Sequence, residues 1–159
     1  MSALRAKIGD MLNMSNMKMT ISAICNGETL TTISNDNHTW YIDEPEAFGG
    51  EDKAPSPVHT LLGAIAGCII ASGYNVAKEH KLDLGNMEIN ISGDISSNGF
   101  WGDNSENTRV GFTEIDVEIS GNPFWSKDEK EVWLDEVQRR CPVIDNIIQP
   151  TQLRLSWRN

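Results

Sequence analysis

Two thiols in this chain of 159 residues sit where sulfur chemistry is conceivable. Cys68 lies in the middle of LLGAIAGCIIASGY, residues 61–74, with apolar or tiny neighbours on both sides. Buried free cysteine is commonly inert packing. A nucleophilic cysteine must be a thiolate, and apolar surroundings oppose that form unless a cation or donor lies close. Nothing in 61–74 supplies one, so any such group must come from elsewhere in the fold. Cys141 follows Arg139 and Arg140 and precedes Pro142. Those arginines either complement the negative end of a helix or stabilise a thiolate, and the sequence leaves both readings open. Cys25, in a short strand beside a turn, reads as structural. Sequence spacing alone does not say whether Cys68 and Cys141 meet.

Other chemistries find little footing. The chain has no GxGxxG, P-loop, CxxC, HExxH or GxSxG pattern, and His38, His59 and His80 lack metal-ligand spacing. Glu114, Asp116 and Glu118 alternate along one predicted strand and read as its solvated face. A net charge of −10 would repel nucleic acid and anionic membranes, so neither is an expected partner. No apolar run reaches the roughly 18–20 residues of a membrane span, and the N-terminus lacks a signal-type apolar region. An odd count of three cysteines makes no disulfide framework. Free thiols suit a reducing compartment, and a cytoplasmic location is expected.

The elements that must position these thiols follow from periodicity. Residues 3–12 have the apolar spacing of a short helix, part of an N-terminal helical extension over 1–17. Three strands are expected over Lys18–Cys25, Thr29–Ile33 and His38–Ile42, with Asn26-Gly27 as a hairpin turn. DEPEAFGGEDKAPSP, 43–57, reads as a long loop within one domain, because three short strands are too small a sheet to stand alone. Ser56-Pro57 then opens a helix running to about His80, apolar almost all round over Leu61–Tyr74 and therefore central. Gly63, Gly67 and Gly73 each cost about 1 kcal/mol of helix propensity, which the close approach of another backbone would explain. Strands follow over Asn86–Ile95 and Gly111–Ser120. Ser126 to Glu129 is a capping box opening a helix to about Arg140, with Val132, Trp133 and Val137 inward. TQLRLSW, 151–157, alternates as a last strand. The order argues one α+β domain over 1–159 with largely antiparallel sheet.

With the elements placed, DEPEAFGGEDKAPSPVHTLLGAIAGC resembles the signature of the OsmC/Ohr family, the osmotically induced and organic-hydroperoxide-resistance proteins. It has the acidic-proline turn, the Gly-Gly loop and the proline-capped apolar helix with its cysteine. CPVIDNI resembles the family's second cysteine motif, and SNGFWGD with TRVGFTEIDVEI is similar to one OsmC-like branch. The resemblance spans about Thr20 to Trp157. It implies an α+β fold whose antiparallel sheets pack around a buried central helix carrying the cysteine. It also implies an intertwined homodimer whose two sites draw on both subunits, and cysteine-based reduction of organic hydroperoxides without metal, haem or other cofactor. Cys68 would then be the peroxidatic cysteine and Cys141 the resolving one. An external dithiol, such as a lipoyl-type one, would reduce their disulfide.

The chain departs from that pattern at one place. Where the resemblance implies an arginine from the first strands and a glutamate at the start of the cysteine helix, residues 18–40 hold no arginine and Pro57 is followed by Val58 and His59. His59, Arg109 and Lys53 stand as substitute activating or pocket residues. On a straight helix His59 and Cys68 lie about 13 Å apart and half a turn round, so they should not touch. The expected function is thiol-dependent hydroperoxide reduction. The alternative is a non-catalytic dimer of the same fold holding a small apolar ligand.

Overall fold

A computed structural model describes residues 17–25, 27–96, 109–122 and 124–158. The expected helix over 3–12 and most of the loop after Ile95 lie outside them. The backbone separates into two compact units, 1–57 and 58–159, and the two are taken in turn.

In the first unit, β1 (Ser22–Cys25), β2 (Thr31–Ser34) and β3 (Thr39–Ile42) form one antiparallel sheet in that order. β-Branched and aromatic residues fill β2 and β3, and Ile33, opposite Trp40, is the buried member. The first connection turns through Gly27 and Glu28, both at positive φ. The second is an Asx turn: Asn35 Oδ1 accepts from the amides of Asn37 (3.0 Å) and His38 (2.8 Å). β1 is shorter than its alternation suggests; Met19 and Ile21 precede it and are exposed.

After β3 the chain winds round one carboxylate. Asp43 is 1% exposed. Its Oδ1 accepts from the Thr29 hydroxyl at 2.6 Å and the Glu44 amide at 2.9 Å. Its Oδ2 accepts from the amides of Glu51 at 3.2 Å and Lys53 at 3.1 Å. A short 3₁₀ turn, Glu46–Phe48, lets the loop double back. Gly50 closes it, because a Cβ there would sit 1.8 Å from the Glu44 carbonyl oxygen. The glycine–proline run is thus a folded loop organised by Asp43.

The second unit is built on α1 (Pro57–His80), β4 (Glu88–Ile95), β5 (Phe112–Ser120), α2 (Lys127–Arg140) and α3 (Pro142–Ile148). Pro57 starts α1 where expected, its missing N–H falling where no intrahelical partner exists. β4 and β5 pair antiparallel, Glu88 opposite Ser120, with a register shift between Asp94 and Ile95. Their inner residues Ile89, Ile91, Ile115 and Ile119 pack on a core of Ile65, Ile69, Val76, Ala77, Trp133 and Val137. Glu114, Asp116 and Glu118 are exposed on the other face.

α2 opens with the capping box: Ser126 Oγ accepts from the Glu129 amide, and the Glu129 carboxylate accepts from the Ser126 amide. Trp125 Nε1 donates to the Asp83 carbonyl at 2.8 Å and its ring meets Trp133 edge-on, centroids 5.9 Å apart. Trp133 then lies against α1 at Gly73, donating Nε1–H to the Gly73 carbonyl at 3.0 Å. A Cβ on Gly73 would fall 2.2 Å from Trp133 Cζ2.

Four expectations are corrected here. An indole ring, not a second backbone, explains Gly73, while Cβ atoms at Gly63 and Gly67 would meet nothing within 4 Å. Val132 is 47% exposed; the buried residues of α2 are Trp133 and Val137. Residues 151–157 form no strand; Leu153, Leu155 and Trp157 are exposed and no described strand lends them an edge to pair with. Finally, α1 is long and apolar enough to cross a membrane by length and composition, with a mean hydropathy of 1.5. Its buried stripe of Ile65, Ile69, Gly73, Val76 and Ala77 nevertheless packs on protein.

Two outcomes follow. Gly73→Ala should destabilise the protein by about 1–3 kcal/mol, since the indole cannot yield without leaving its carbonyl acceptor; urea unfolding measures it. Asp43 is held at a pKa of about 2 against 3.8, chiefly by the Thr29 hydroxyl and the Lys53 amide, with burial opposing. A lowered folded-state pKa gives stability that is present above 3.8 and lost as pH falls towards about 2. Asp43→Asn turns a donor towards backbone amides, so it should lower stability at neutral pH and flatten that acid limb in circular-dichroism titrations.

Candidate functional site

Cys141 owes its position to the proline behind it. A residue preceding proline is driven out of the helical region, and Cys141 is extended at φ −85°, ψ 109°. Its amide still donates to the Val137 carbonyl at 2.9 Å, closing α2, while its carbonyl accepts from Asp145 N at 3.0 Å, opening α3. Pro142 takes the first position of α3, which needs no N–H. Cys141 is therefore the joint between two helices. Its side chain is 1% exposed.

α1 brings Cys68 to that joint. Cys68 stands between Ile65 and Ile69, which face the core, and is itself only partly buried. The two thiols are near enough to act on one another. Burial, first, and the neighbouring Cys68 thiol, second, push the Cys141 thiol above its ordinary range; the amides of Ile144 and Val143 pull the other way. Among the described residues no cation is one of the groups that act on Cys141.

The arginines beside Cys141 have other work. Arg139 reaches back to Asp135, Nη2 to Oδ2 2.9 Å, an ion pair within α2. Arg140 grips Glu79 of α1 with both terminal nitrogens, at 2.6 and 2.8 Å, and also touches Glu136 at 3.2 Å. Neither serves as a thiolate's counter-ion. His59 is exposed in the first turn of α1, and Arg109 is exposed just ahead of β5. Lys53 lies in the first unit, its ammonium paired with Glu51 and its amide spent on Asp43. Cys25 is exposed, its thiol 3.6 Å from the Glu28 carbonyl. No group of three or more histidine, cysteine or acidic side chains suited to a metal occurs among the described residues.

An apolar groove of about 420 Å³ is lined by Ile65 and Ile69 of α1, which flank Cys68 in sequence, by Ile115 and Ile119 of β5, and by Ile144 of α3; neither cysteine lines it. The residues that sequence reading overlooked are Asp43, whose lone acid gave no pattern, and Glu79 with Glu136, whose partner Arg140 had two possible roles. The short helix α3 was signalled by Pro142 but masked by the apolar run behind it.

This arrangement has known relatives. The chain matches the family model for OsmC-like proteins over residues 50–156. No curated protein matches it. Among solved structures it is similar to an OsmC-like protein of Mycoplasma pneumoniae, at 23% identity and a TM-score of 0.71, covering 85% of this chain and 90% of that one. It is also similar to the organic hydroperoxide resistance protein OsmC of Legionella pneumophila, at 15% identity and a TM-score of 0.63, covering 86% and 93%. An organic hydroperoxide resistance protein of Elizabethkingia anophelis matches at 17% identity and a TM-score of 0.60, covering 86% and 93%. These structures share the α+β fold with antiparallel sheets. With more than half its length inside the family model, the chain belongs to the OsmC-like protein family.

Proposed function

We propose that the chain is a cysteine-based organic hydroperoxide reductase, with Cys68 peroxidatic and Cys141 resolving. The observation that carries this is a contacting thiol pair of unequal exposure: Cys68 is partly open, Cys141 is 1% exposed. A peroxide can therefore reach only the first sulfur, and the second is already in place. The Cys68 thiolate attacks the terminal oxygen of R–O–OH, the O–O bond breaks, and the alkoxide leaves as alcohol after taking a proton. Sulfur is oxidised by two electrons to the sulfenic acid and the peroxide is reduced by two. Cys141 then attacks Cys68 Sγ; the S–S bond forms, S–OH breaks, and hydroxide leaves as water with the Cys141 proton. An external dithiol of lipoyl type returns the disulfide to two thiols. In this reading the Cys141 thiol, not a cation, faces the reacting sulfur. The apolar groove favours peroxides with a hydrocarbon body over hydrogen peroxide. Organic-hydroperoxide-resistance proteins among the structural neighbours support the same chemistry.

The working form in this proposal is a homodimer. The face of α1 opposite its core stripe leaves Ile70 43% and Tyr74 59% exposed beside Gly67, and Leu153, Leu155 and Trp157 are 80–92% exposed. Large exposed apolar side chains such as these favour association with a second copy. Sedimentation should give twice the chain mass, and Ile70→Glu should shift it towards one chain. A wild-type protein sedimenting as a single chain at micromolar concentration contradicts the dimer.

For the chemistry, one equivalent of cumene hydroperoxide should remove two of the three thiols of the wild type, counted with Ellman's reagent. Cys68→Ser should lose none, and Cys141→Ser should halt at a sulfenic acid trapped by dimedone. Equal slow loss in wild type and Cys68→Ser would remove Cys68 from the reaction and leave the fold as a binding scaffold.

A further inference from the structure

The thiol pair needs its second member held still, and the structure shows what holds it. Cys141 is placed by the last turn of α2, through its amide bond to Val137. Two buried residues anchor α2 on the core, Trp133 and, one turn before Cys141, Val137. They seat the helix, and its last turn carries further ties to α1. Arg140, adjacent to Cys141, makes a two-pronged bond to Glu79 in the last turn of α1, Nη1–Oε2 2.6 Å and Nη2–Oε1 2.8 Å. Glu136, one turn earlier on α2, accepts from Arg140 at 3.2 Å and lies 2.8 Å from His80 Nε2 of α1. Two residues from each helix end thus close a network across the α1–α2 junction.

We propose that Arg140 is a positioning residue for disulfide closure, keeping the Cys141 sulfur within reach of Cys68 by fixing the end of α2 to Glu79. The proposal rests on the cysteine-pair chemistry above. The side chains of Arg140 and Glu79 are 40% and 56% exposed, and exposed ion pairs add little to global stability. The bidentate fork instead supplies direction, because a planar guanidinium on a carboxylate fixes both distance and orientation. Closure is sensitive to that: misplacement by about 1 Å can slow a positioned reaction by roughly 10²-fold. The neighbouring Arg139 is a built-in control, since among the described residues it pairs with Asp135 of its own helix and not with α1.

The test uses the full chain with Cys25→Ser throughout, leaving one possible pair. Two quantities are read. One is the reduction potential of the Cys68–Cys141 couple, from equilibration with dithiothreitol redox buffers. The other is the stopped-flow split between sulfenic acid formation and disulfide closure with cumene hydroperoxide. Arg140→Gln and Glu79→Gln should each slow closure roughly tenfold. Each should also weaken the disulfide by a similar factor, raising its potential by about 30 mV, with sulfenic acid formation within about twofold of the parent. Arg140→Lys, keeping charge without the fork, should fall between, and Arg139→Gln should match the parent. The double variant Arg140→Gln/Glu79→Gln should be no worse than either single one.

A normal closure rate and potential in Arg140→Gln overturns the tether while leaving the cysteine pair standing. No Cys68–Cys141 disulfide in the parent under either oxidant contradicts the pair, and the tether with it. Closure that merely tracks the thermal midpoint across all variants, Arg139→Gln included, assigns a structural role alone and also overturns the proposal.

Discussion

The Trp133 indole seated on Gly73 is the contact on which the second unit depends. It joins three requirements in one place: a helix position without a Cβ, a carbonyl able to accept from Nε1, and a ring large enough to fill the gap between helices. Trp125 braces the ring from one side, and Ile65, Ile69 and Val137 complete the core around it. From that crossing, Glu136 and Arg140 are carried to the end of α1, and Cys141 to Cys68. Burial fixes the crossing and the surface network trims its far end.

Proline and glycine place the sulfur chemistry more directly than charge does. Pro142 breaks the helix, and that break is why Cys141 lies at a joint and not along a helix face. In the proposed reaction, the buried Cys141 beside a more open Cys68 would give the pair its order of events. The missing arginine and glutamate of the family pattern then pose a narrower problem. Among the described residues no cation acts on Cys141, so what must be explained is how the neighbouring Cys141 thiol conditions Cys68.

Much of this was legible in the chain. The capping box at Ser126, the start of α1 at Pro57 and the strands β2 to β5 read correctly because local chemistry determines them. The meeting of Cys68 and Cys141, 73 residues apart in sequence, was not readable from spacing; only the family resemblance suggested it. The loop of 43–57 looked like a generic acidic turn, because Asp43 becomes its hub only when four donors converge. Arg139 and Arg140 are indistinguishable as letters, yet one closes on its own helix and the other on its neighbour. The tail TQLRLSW alternates like a strand, but alternation describes a side-chain pattern and cannot provide a partner edge.

The central claim is that Cys68 and Cys141 are one redox pair. Its most direct test is peptide mapping under non-reducing conditions after exposure of the wild-type chain to an organic hydroperoxide. The account predicts a single cross-linked species joining the Cys68 and Cys141 peptides, with Cys25 still free. A Cys68 peptide carried to sulfinic acid, or linked to Cys25 while Cys141 remains a thiol, would contradict it.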